Sequence, residues 1–256
     1  MLEENKMKQI VHILGIACLG MLFLVSLVGC KGSCDEKLLE LNDSYYEVTK
    51  WCSGNIWLHN GSGNYDISIN DEAGLKLSFE DTNRLNFQGI KEGLYELQVT
   101  DKETKEKATA TIKVLPQAII ISASRRDLND DLFTPKAELF LMGDTENKCF
   151  ILSPWLQGTT RPTTPTFEGS YEMIEDAGKI TSILLYDKNK NKIRTYKIET
   201  SDEEVLDCLS KLVHRQPWEK DSPYFQDGRM TLTDGQNVLK ATLYLAGSFL
   251  PEHLYN

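Results

Sequence analysis

The chain is poor in positive charge. It has 28 lysine and arginine residues against 38 aspartate and glutamate residues, which gives a formal net charge of −10 at pH 7. Proteins that bind nucleic acid need a basic face to neutralise phosphates, so this balance excludes nucleic acid as a partner. The surplus of acidic residues instead favours solubility and electrostatic distance from anionic lipid headgroups.

Residues that commonly carry catalysis are also scarce. The sequence has four histidines, and His59, His214 and His253 have no candidate nucleophile beside them. No H-E-x-x-H, phosphate-binding loop or dinucleotide fingerprint occurs, and Gly61-Ser62-Gly63 precedes a β-strand where a nucleophile elbow needs a helix. We therefore predict that the protein is not an enzyme and has neither catalytic residues nor a cofactor. A surface hydrolase without a recognisable motif is the alternative.

Metal-binding patterns are absent as well. The six cysteines include no close C-x-x-C pair, which zinc sites typically contain. Residues 187–191 begin like a calcium loop, but Lys192 replaces the required glycine and Ile198 replaces the required glutamate. We predict a turn there and no metal site.

One long hydrophobic run is present, near the N-terminus. Residues 10–27 are interrupted only by His12 and Ser26, and the run leads into Leu27-Val28-Gly29-Cys30. This spacing resembles the lipobox of bacterial lipoproteins. The resemblance implies that the leader 1–29 is cut off as a signal peptide, that Cys30 is acylated with chains such as palmitate, and that the mature chain reaches the lipid bilayer through Cys30.

Two other interpretations of the run stay open. An uncleaved transmembrane helix needs about 20 apolar residues, and a plain secretory leader ends in an A-x-A-like site, which Val28-Gly29-Cys30 matches poorly. Translation from Met7 instead of Met1 would leave a conventional basic segment before the run. The cluster Lys31–Glu36 resembles the surface-export signals of Bacteroidota lipoproteins. We predict a lipid-anchored tether at 30–44 and a place in the cell envelope, at the outer membrane, with the periplasmic and surface faces both open.

The remaining cysteines allow two arrangements. Cys34, Cys52, Cys149 and Cys208 are an even number in an exported chain, which permits disulfides. Cys149 lies in a strand-like apolar segment and Cys208 in a predicted helix, which favours buried free thiols that behave as small hydrophobic side chains. The alternative is a Cys34–Cys52 disulfide that ties the tether to the first domain.

Residues 45–116 have the alternation of short β-strands. Apolar side chains occupy every second position in 65–69 and again in 95–99, which is the period of a half-buried strand. Turn residues recur about every 8–12 positions and no helical stretch intervenes, so the segment predicts a β-sandwich.

Two motifs in this segment also point to a family. They are Gly61-x-Gly63-x-Tyr65-x-Ile67 and Phe87-x-Gly89-Ile90-Lys91-x-Gly93-x-Tyr95-x-Leu97-x-Val99-Thr100-Asp101. Together they resemble the immunoglobulin-like domains of bacterial surface proteins. The resemblance implies an immunoglobulin-like sandwich but little about function, since such domains act as spacers, adhesion modules and pilus-type units.

Residues 117–256 predict a second domain, whose family we do not recognise. Strands are expected at 118–123, 137–142 and 148–153, and hairpins at 178–200 and 229–246. Between the hairpins, Ser201 and Glu204 match a capping box that opens an amphipathic helix. The fold class is therefore mainly β with two domains, an immunoglobulin-like sandwich and then an α+β domain, an antiparallel sheet with one packed helix.

Aromatic residues in this second domain are the candidate ligand contacts. Trp155 and Trp218 each follow a proline at the end of a predicted element, and Tyr224 lies beside a loop. Exposed rings on loops can line a binding surface. We predict a membrane-anchored, non-enzymatic binding or adhesion protein whose sandwich is a spacer and whose ligand is a protein or a glycan. The alternative is a glycan-capturing accessory lipoprotein of a polysaccharide-uptake system, with Trp155 and Trp218 stacking on sugars.

Overall fold

A computed structural model describes residues 38–124, 130–155, 162–218, 228–247, 250–251 and 254–255. Contacts divide the chain into Met1–Leu38 and Leu39–Asn256. The lipobox, the cluster Lys31–Glu36, Cys30, Cys34, Tyr224 and His253 lie outside the described residues. Within the described part the protein is mainly β, with sixteen strands and one α-helix.

Strands β1 to β8 form two four-stranded sheets, ordered β1-β3-β6-β5 and β2-β8-β7-β4. Their pairing is antiparallel except that β2 runs parallel to β8. The bounds are β1 (Glu40–Leu41), β2 (Tyr45–Thr49), β3 (Ser53–His59), β4 (Tyr65–Ile69), β5 (Leu75–Asp81), β6 (Arg84–Gly89), β7 (Gly93–Asp101) and β8 (Lys107–Leu115).

The alternation in these strands buries one face of each sheet. Leu85 and Phe87 of one sheet, and Leu97, Val99 and Ile112 of the other, are each at most 2% exposed. Because neighbouring side chains on a strand point to opposite faces, the residues between them line the two outer faces. The two sheets therefore share one hydrophobic core.

Tyr95 fixes the turn before β7. Its hydroxyl donates a hydrogen bond of 2.6 Å to the carbonyl of Lys91, the kind of bond that closes a corner in immunoglobulin-type sandwiches. Gly74 packs against the ring, and a Cβ at Gly74 would lie 1.9 Å from Cε1 of Tyr95. The motif tyrosine and a distant glycine thus form one packing unit.

Asp101, at the end of β7, holds two turns together. Its carboxylate accepts hydrogen bonds from the backbone N–H and hydroxyl of Ser62, at 2.6 and 2.8 Å, and from the N–H groups of Glu103 and Thr104. These donors, the Ser62 N–H foremost, lower the pKa of Asp101 to about 2. The Gly61-Ser62-Gly63 motif therefore has a structural role as a turn bound to Asp101.

Acid should weaken the protein through Asp101. A carboxylate has an unfolded-state pKa of about 3.9, above the folded value of about 2, so its contribution is complete above about pH 5 and is lost progressively as the pH falls through both values, towards about pH 1. We expect the difference in free energy of unfolding between wild type and Asp101→Asn, measured by urea titration, to shrink across that interval.

The control for this titration is Asp66→Asn. Asp66 forms an exposed ion pair of 3.1 Å with Lys102, so this variant should follow the wild-type pH profile. A constant difference between wild type and Asp101→Asn from pH 6 to pH 2 would contradict the assignment.

Strands β9 to β16 close into a barrel in the order β10-β11-β12-β13-β14-β15-β16-β9. All neighbours are antiparallel, and β16 pairs with β9 to close the sheet. The bounds are β9 (Ala118–Ala123), β10 (Glu138–Met142), β11 (Lys148–Leu152), β12 (Phe167–Asp176), β13 (Lys179–Tyr186), β14 (Lys192–Glu199), β15 (Gly228–Thr233) and β16 (Val238–Leu245).

The interior of the barrel is lined mainly by buried side chains, and the outer side of β9, β10 and β11 also carries buried apolar side chains. Ile121 and Leu139 face the interior, whereas Ile120 and Phe140 face outwards, and all four are 0% exposed. The outer side chains form a second cluster with Leu250 and Leu254 of the C-terminal segment. Because β9 is buried on both faces, its sequence is a continuous apolar run.

Helix α1 (Glu203–Val213) lies at one end of the barrel. Val205 contacts the first residue of β15, since a Cβ at Gly228 would lie 2.9 Å from its Cγ2, and Leu212 approaches Gly143, just after β10. The sequence predicts a helix packed on the face of an antiparallel sheet. The structure differs because the sheet curls up on itself, which leaves the barrel end as the apolar surface that the helix covers.

The predicted capping box is wrong. Asp202 is the N-cap, and its carboxylate accepts from the N–H groups of Glu204 and Val205. The preceding Thr200 is held by β15 through a 2.9 Å bond from its hydroxyl to the carbonyl of Arg229. The helix therefore begins one residue later than Ser201 would allow, with an anionic cap that suits the helix dipole.

A polar network joins the sandwich to the barrel. Lys113 of β8 donates to the carbonyl of Tyr255 at 3.0 Å and pairs with the buried Glu47 at 3.6 Å. The hydroxyl of Tyr255 donates to Asp144, after β10, at 2.9 Å. The C-terminal segment thus bonds to both parts at once.

The described cysteines have the predicted arrangement of buried free thiols. Cys52, Cys149 and Cys208 are free and buried, so the Cys34–Cys52 disulfide is not formed. Burial raises the pKa of all three thiols, that of Cys149 to about 12. They therefore stay protonated and act as small hydrophobic side chains.

Candidate functional site

The two ends of the barrel differ. We call the end that carries α1 the base, and the opposite end, formed by the β9–β10, β11–β12, β13–β14 and β15–β16 connections, the rim. The chain enters the base from the sandwich, since β8 ends at Leu115 and β9 begins at Ala118. The rim is therefore the barrel end farthest along the strands from the sandwich.

Arg194 organises the rim. It stands near the start of β14 on the face that points into the barrel, and its guanidinium pairs with Asp234 of the β15–β16 turn and with Asp131 of the β9–β10 connection. Asp130 lies 3.7 Å away with a fully buried side chain. One cation thus joins strand β14 to two separate connections.

The carboxylates around Arg194 have other donors as well. Asp234 accepts from the backbone N–H groups of Asn237 and Gln236, and these bonds together with Arg194 hold its pKa well below the usual range. Asp130 accepts a 2.6 Å bond from the hydroxyl of Tyr196. The cluster is therefore a fixed polar network that sets the positions of the rim connections.

The barrel interior below this cluster is filled. Phe133, from the β9–β10 connection, packs beside Tyr196 with ring centroids 6.5 Å apart, and both residues are 0% exposed. Small eight-stranded barrels have just enough room for interior side chains or one small ligand. Here the side chains take that room, so contact surfaces have to be sought on the outside of the barrel.

Trp155 is the exposed aromatic residue of the rim. It follows β11, which ends at Leu152, and 53% of its surface is accessible. Residues 156–161, next to it, lie outside the described residues. An exposed indole on a connection whose neighbours are fixed by ionic bonds is a suitable contact residue for a partner.

An open groove crosses the outer wall of the barrel, from Ser124 after β9 to Thr200 and Ser201 before α1. Its volume is about 810 Å³, and its lining combines hydroxyl groups, charges of both signs and two apolar side chains: Ser124, Glu199, Thr200, Ser201, Arg229, Met230, Thr231, Lys240, Ala241 and Thr242. The volume falls within the range of small-molecule sites, but the groove is broad and open. It does not define a reaction site.

The structure separates the aromatic residues that the sequence grouped. Trp218 follows α1 and lies at the base, where the neighbouring Gln216 carbonyl accepts a 2.8 Å bond from Gln117. Its indole N–H is buried and has no hydrogen-bond partner among the described residues. Trp155 and Trp218 are thus at opposite barrel ends and cannot stack on the same sugar, and Tyr224 lies outside the described residues.

His214, the helix C-cap, lies near the base. Its Nε2 is 3.3 Å from Glu175, and the cap N–H bonds back to Ser210, so its surroundings are those of a helix end. In the described ranges, no three His, Cys, Asp or Glu side chains converge as a metal ion would require.

The predicted turn at 187–191 is present. The carboxylate of Asp187 accepts from the N–H groups of Asn189 and Asn191, both at 2.8 Å. These local bonds use the oxygen atoms that a calcium loop would direct at the ion.

No helix among the residues that the structure describes is both long and apolar enough to cross a membrane.

Comparison with known proteins adds little. No protein-family model matches the chain, and no curated protein matches it in sequence. Domains 5-6 of the S-layer protein SbsC are 9% identical, over 82% of this chain and 96% of that chain, with a TM-score of 0.27. A chimeric titin Z1Z2 functionalized with a KLER exogenous peptide from decorin is 12% identical, over 59% of this chain and 90% of that chain, with a TM-score of 0.25. Structural similarity at this level assigns neither a family nor a function.

Proposed function

We propose that the protein is an exported bacterial lipoprotein, acylated at Cys30, that binds a partner through the rim of its barrel and carries out no chemistry. In this proposal the sandwich, residues 45–116, is an immunoglobulin-like spacer, and residues 117–256 form the binding domain. The partner is a protein or a glycan met on the cell-surface side of the outer membrane.

The direction of the chain is the observation that carries this proposal. The N–H of Leu39 donates a 2.8 Å bond to Glu106, just before β8 begins at Lys107. Strand β8 then runs for nine residues to the barrel base, about 30 Å at the usual rise of a strand. The point where the tether enters and the rim are therefore at opposite ends of the Leu39–Asn256 unit.

An anchor at Cys30 would use this polarity. Residues 31–38 could span at most about 30 Å when fully extended, so the sandwich would stand near the bilayer and the rim would point away from it. The fixed Arg194 network and the exposed Trp155 would then be presented to partners. Acylation alone would hold the chain at the membrane.

Membrane attachment is tested by replacing Cys30 with alanine in the full chain, expressed in bacteria fed a clickable palmitate analogue. We expect wild type to carry the label and to sediment with membranes, and Cys30→Ala to lose both properties. Cys34→Ala, four residues away and outside the lipobox, is the matched control and should behave as wild type.

Two outcomes would contradict the proposal. Label on Cys30→Ala equal to that on wild type would place the acyl chains elsewhere. Unlabelled wild type in the membrane fraction would indicate an uncleaved anchor, one of the alternatives that the sequence leaves open.

A further inference from the structure

The sandwich has an outer face that the spacer role does not use. On β3, Ile56 and Leu58 point into the core and are at most 2% exposed, whereas Trp57 between them points outwards and is 43% exposed. A large aromatic ring on the solvent side of a sheet gains little from the core, and an exposed ring flanked by polar side chains can serve as a ligand contact.

The residues around Trp57 form three regular rows across β3, β6 and β5. The strand register places Ser53 beside Gln88 and Lys76, Asn55 beside Asn86 and Ser78, and Trp57 beside Arg84 and Asp81. We call this set, together with Glu80, the Trp57 face. Its members are one indole, three amides, two hydroxyls and compensating charges.

The position of the indole is fixed. The guanidinium carbon of Arg84 lies 5.3 Å from the ring centroid of Trp57, a cation–π distance. The backbone N–H of Trp57 donates a 2.7 Å bond to the side chain of Asn42. The ring is thus held on one side by Arg84 while two fifths of its surface stays open to solvent.

The charges on this part of the face compensate one another. Arg84 pairs with Glu80, and the amide N–H of Asn86 donates to the same carboxylate at 3.2 Å. A ligand that carries a full charge would have to compete with this pair. The face therefore suits a neutral ligand with an apolar side and hydrogen-bonding edges.

Some hydrogen-bonding capacity on the face is unused. Nε of Arg84 and Oδ1 of Asn86 are covered and have no hydrogen-bond partner among the described residues. Unpaired polar atoms of this kind are uncommon in folded proteins and need an explanation. A hydroxyl-bearing ligand could satisfy both after a small side-chain rotation.

We infer that the Trp57 face binds a neutral polysaccharide made of hexopyranose rings. The apolar side of one ring stacks on the open face of Trp57, and hydroxyl groups of that ring and the next bond to Asn55, Asn86 and Ser78. A sugar is the neutral ligand whose flat C–H face and hydroxyl edge match an aromatic ring flanked by amides. This gives the sandwich a binding site of its own.

The inference does not rest on the function proposed for the rim. The Trp57 face is on β3, β5 and β6 of the sandwich, whereas Trp155 stands at the far end of the barrel. Either site could be lost without the other, so Leu94→Ala is the control: an exposed apolar side chain of β7, in the other sheet of the sandwich, outside both the Trp57 face and the rim.

The test is native electrophoresis of the detergent-solubilised full chain in gels that contain α-glucan, β-glucan, mannan or galactan. A second set of gels contains polysaccharide purified from the envelope of the producing cells. We expect at least one polysaccharide to retard wild type, and Trp57→Ala to weaken the apparent affinity at least about tenfold, as loss of one aromatic stack implies. Retardation in the first set of gels would indicate a foreign glycan, and retardation in the second set would indicate a glycan of the cell's own envelope.

Leu94→Ala should migrate as wild type does. Trp57→Tyr, which keeps a ring and guards against a folding defect, should retain more affinity than Trp57→Ala, and both should keep the wild-type far-ultraviolet circular dichroism. Absence of retardation in every gel, or equal retardation of Trp57→Ala and wild type, would overturn the inference. The inference would also be overturned if Trp57 were required for a complex with another protein and neutral polysaccharide did not displace that protein.

Discussion

Replacing Arg194 with methionine should lower the free energy of unfolding by about 3–5 kcal/mol, the usual cost of removing one partner from a buried ion pair. The side chains of Asp130 and Asp234 are only 0% and 7% exposed, so both would remain buried without their cation. Asp131 contributes little to this figure because its side chain is 89% exposed and an exposed ion pair is weak.

Urea unfolding at pH 7 measures this loss, with Lys188→Met as the matched control. Lys188 pairs with Glu168 at 2.7 Å, but their side chains are 68% and 42% exposed, so the control should cost less than about 1 kcal/mol. Equal effects of the two substitutions would show that the Arg194 network does not hold the rim together.

The Arg194→Met deficit should also depend on pH. In the wild type Arg194 is one of the groups that lower the pKa of Asp234, so this pKa should rise in Arg194→Met, and a neutral carboxyl costs less to bury than a charged one. The deficit relative to wild type should therefore shrink as the pH falls from about 4 towards 2, where carboxylates take up protons. A deficit that grows over this interval would point to lost packing instead of unpaired charge.

Leu209→Ala should destabilise the protein by about 2–5 kcal/mol, the range for deleting a leucine from a packed core. Leu209 is 0% exposed and belongs to the apolar stripe with which α1 covers the barrel base. The resulting cavity would lie between the helix and the strand ends, where little can move in to fill it.

Leu206→Ala is the matched control for this helix. Leu206 is in the same helix but only half-buried. Leu206→Ala and Leu209→Ala therefore change the helix propensity equally, but Leu206→Ala removes less buried apolar surface. Thermal and urea unfolding should rank wild type above Leu206→Ala and Leu206→Ala above Leu209→Ala. The reverse order would mean that α1 does not seal the base through the stripe described here.

Local strand patterns were predictable from sequence because they depend on neighbours in the chain. The 118–123 strand has the same bounds as β9, and the hairpins at 178–200 and 229–246 correspond to β13–β14 and β15–β16. In each case alternating or continuous apolar residues are bounded by turn residues, and the same side chains pack in the structure.

The missed strand β12 explains why the barrel was not foreseen. Its sequence contains Gly169 and four acidic residues, and its lower half is largely exposed, which weakens the apolar alternation. Gly169 is required by packing, since a Cβ there would lie 1.9 Å from the carbonyl oxygen of Tyr186. Without β12 no path connects β11 to β13, so an open sheet is the natural prediction.

The rim could not be read from sequence because its residues are far apart in the chain. Arg194 meets Asp131, 63 positions away, and Asp234, 40 positions away, and nothing in the local pattern marks them as partners. Trp155 was found from the proline before it. Which side of the sheet Trp57 takes depends on tertiary packing.

The most direct measurement of the central claim is protease shaving of intact cells that produce the full chain. The account predicts that the protease cleaves the barrel of wild type on intact cells, while a periplasmic marker stays whole and Cys30→Ala is absent from the cell surface. If wild type were protected until the outer membrane was permeabilised, the rim would face the periplasm, and binding of partners outside the cell would be contradicted.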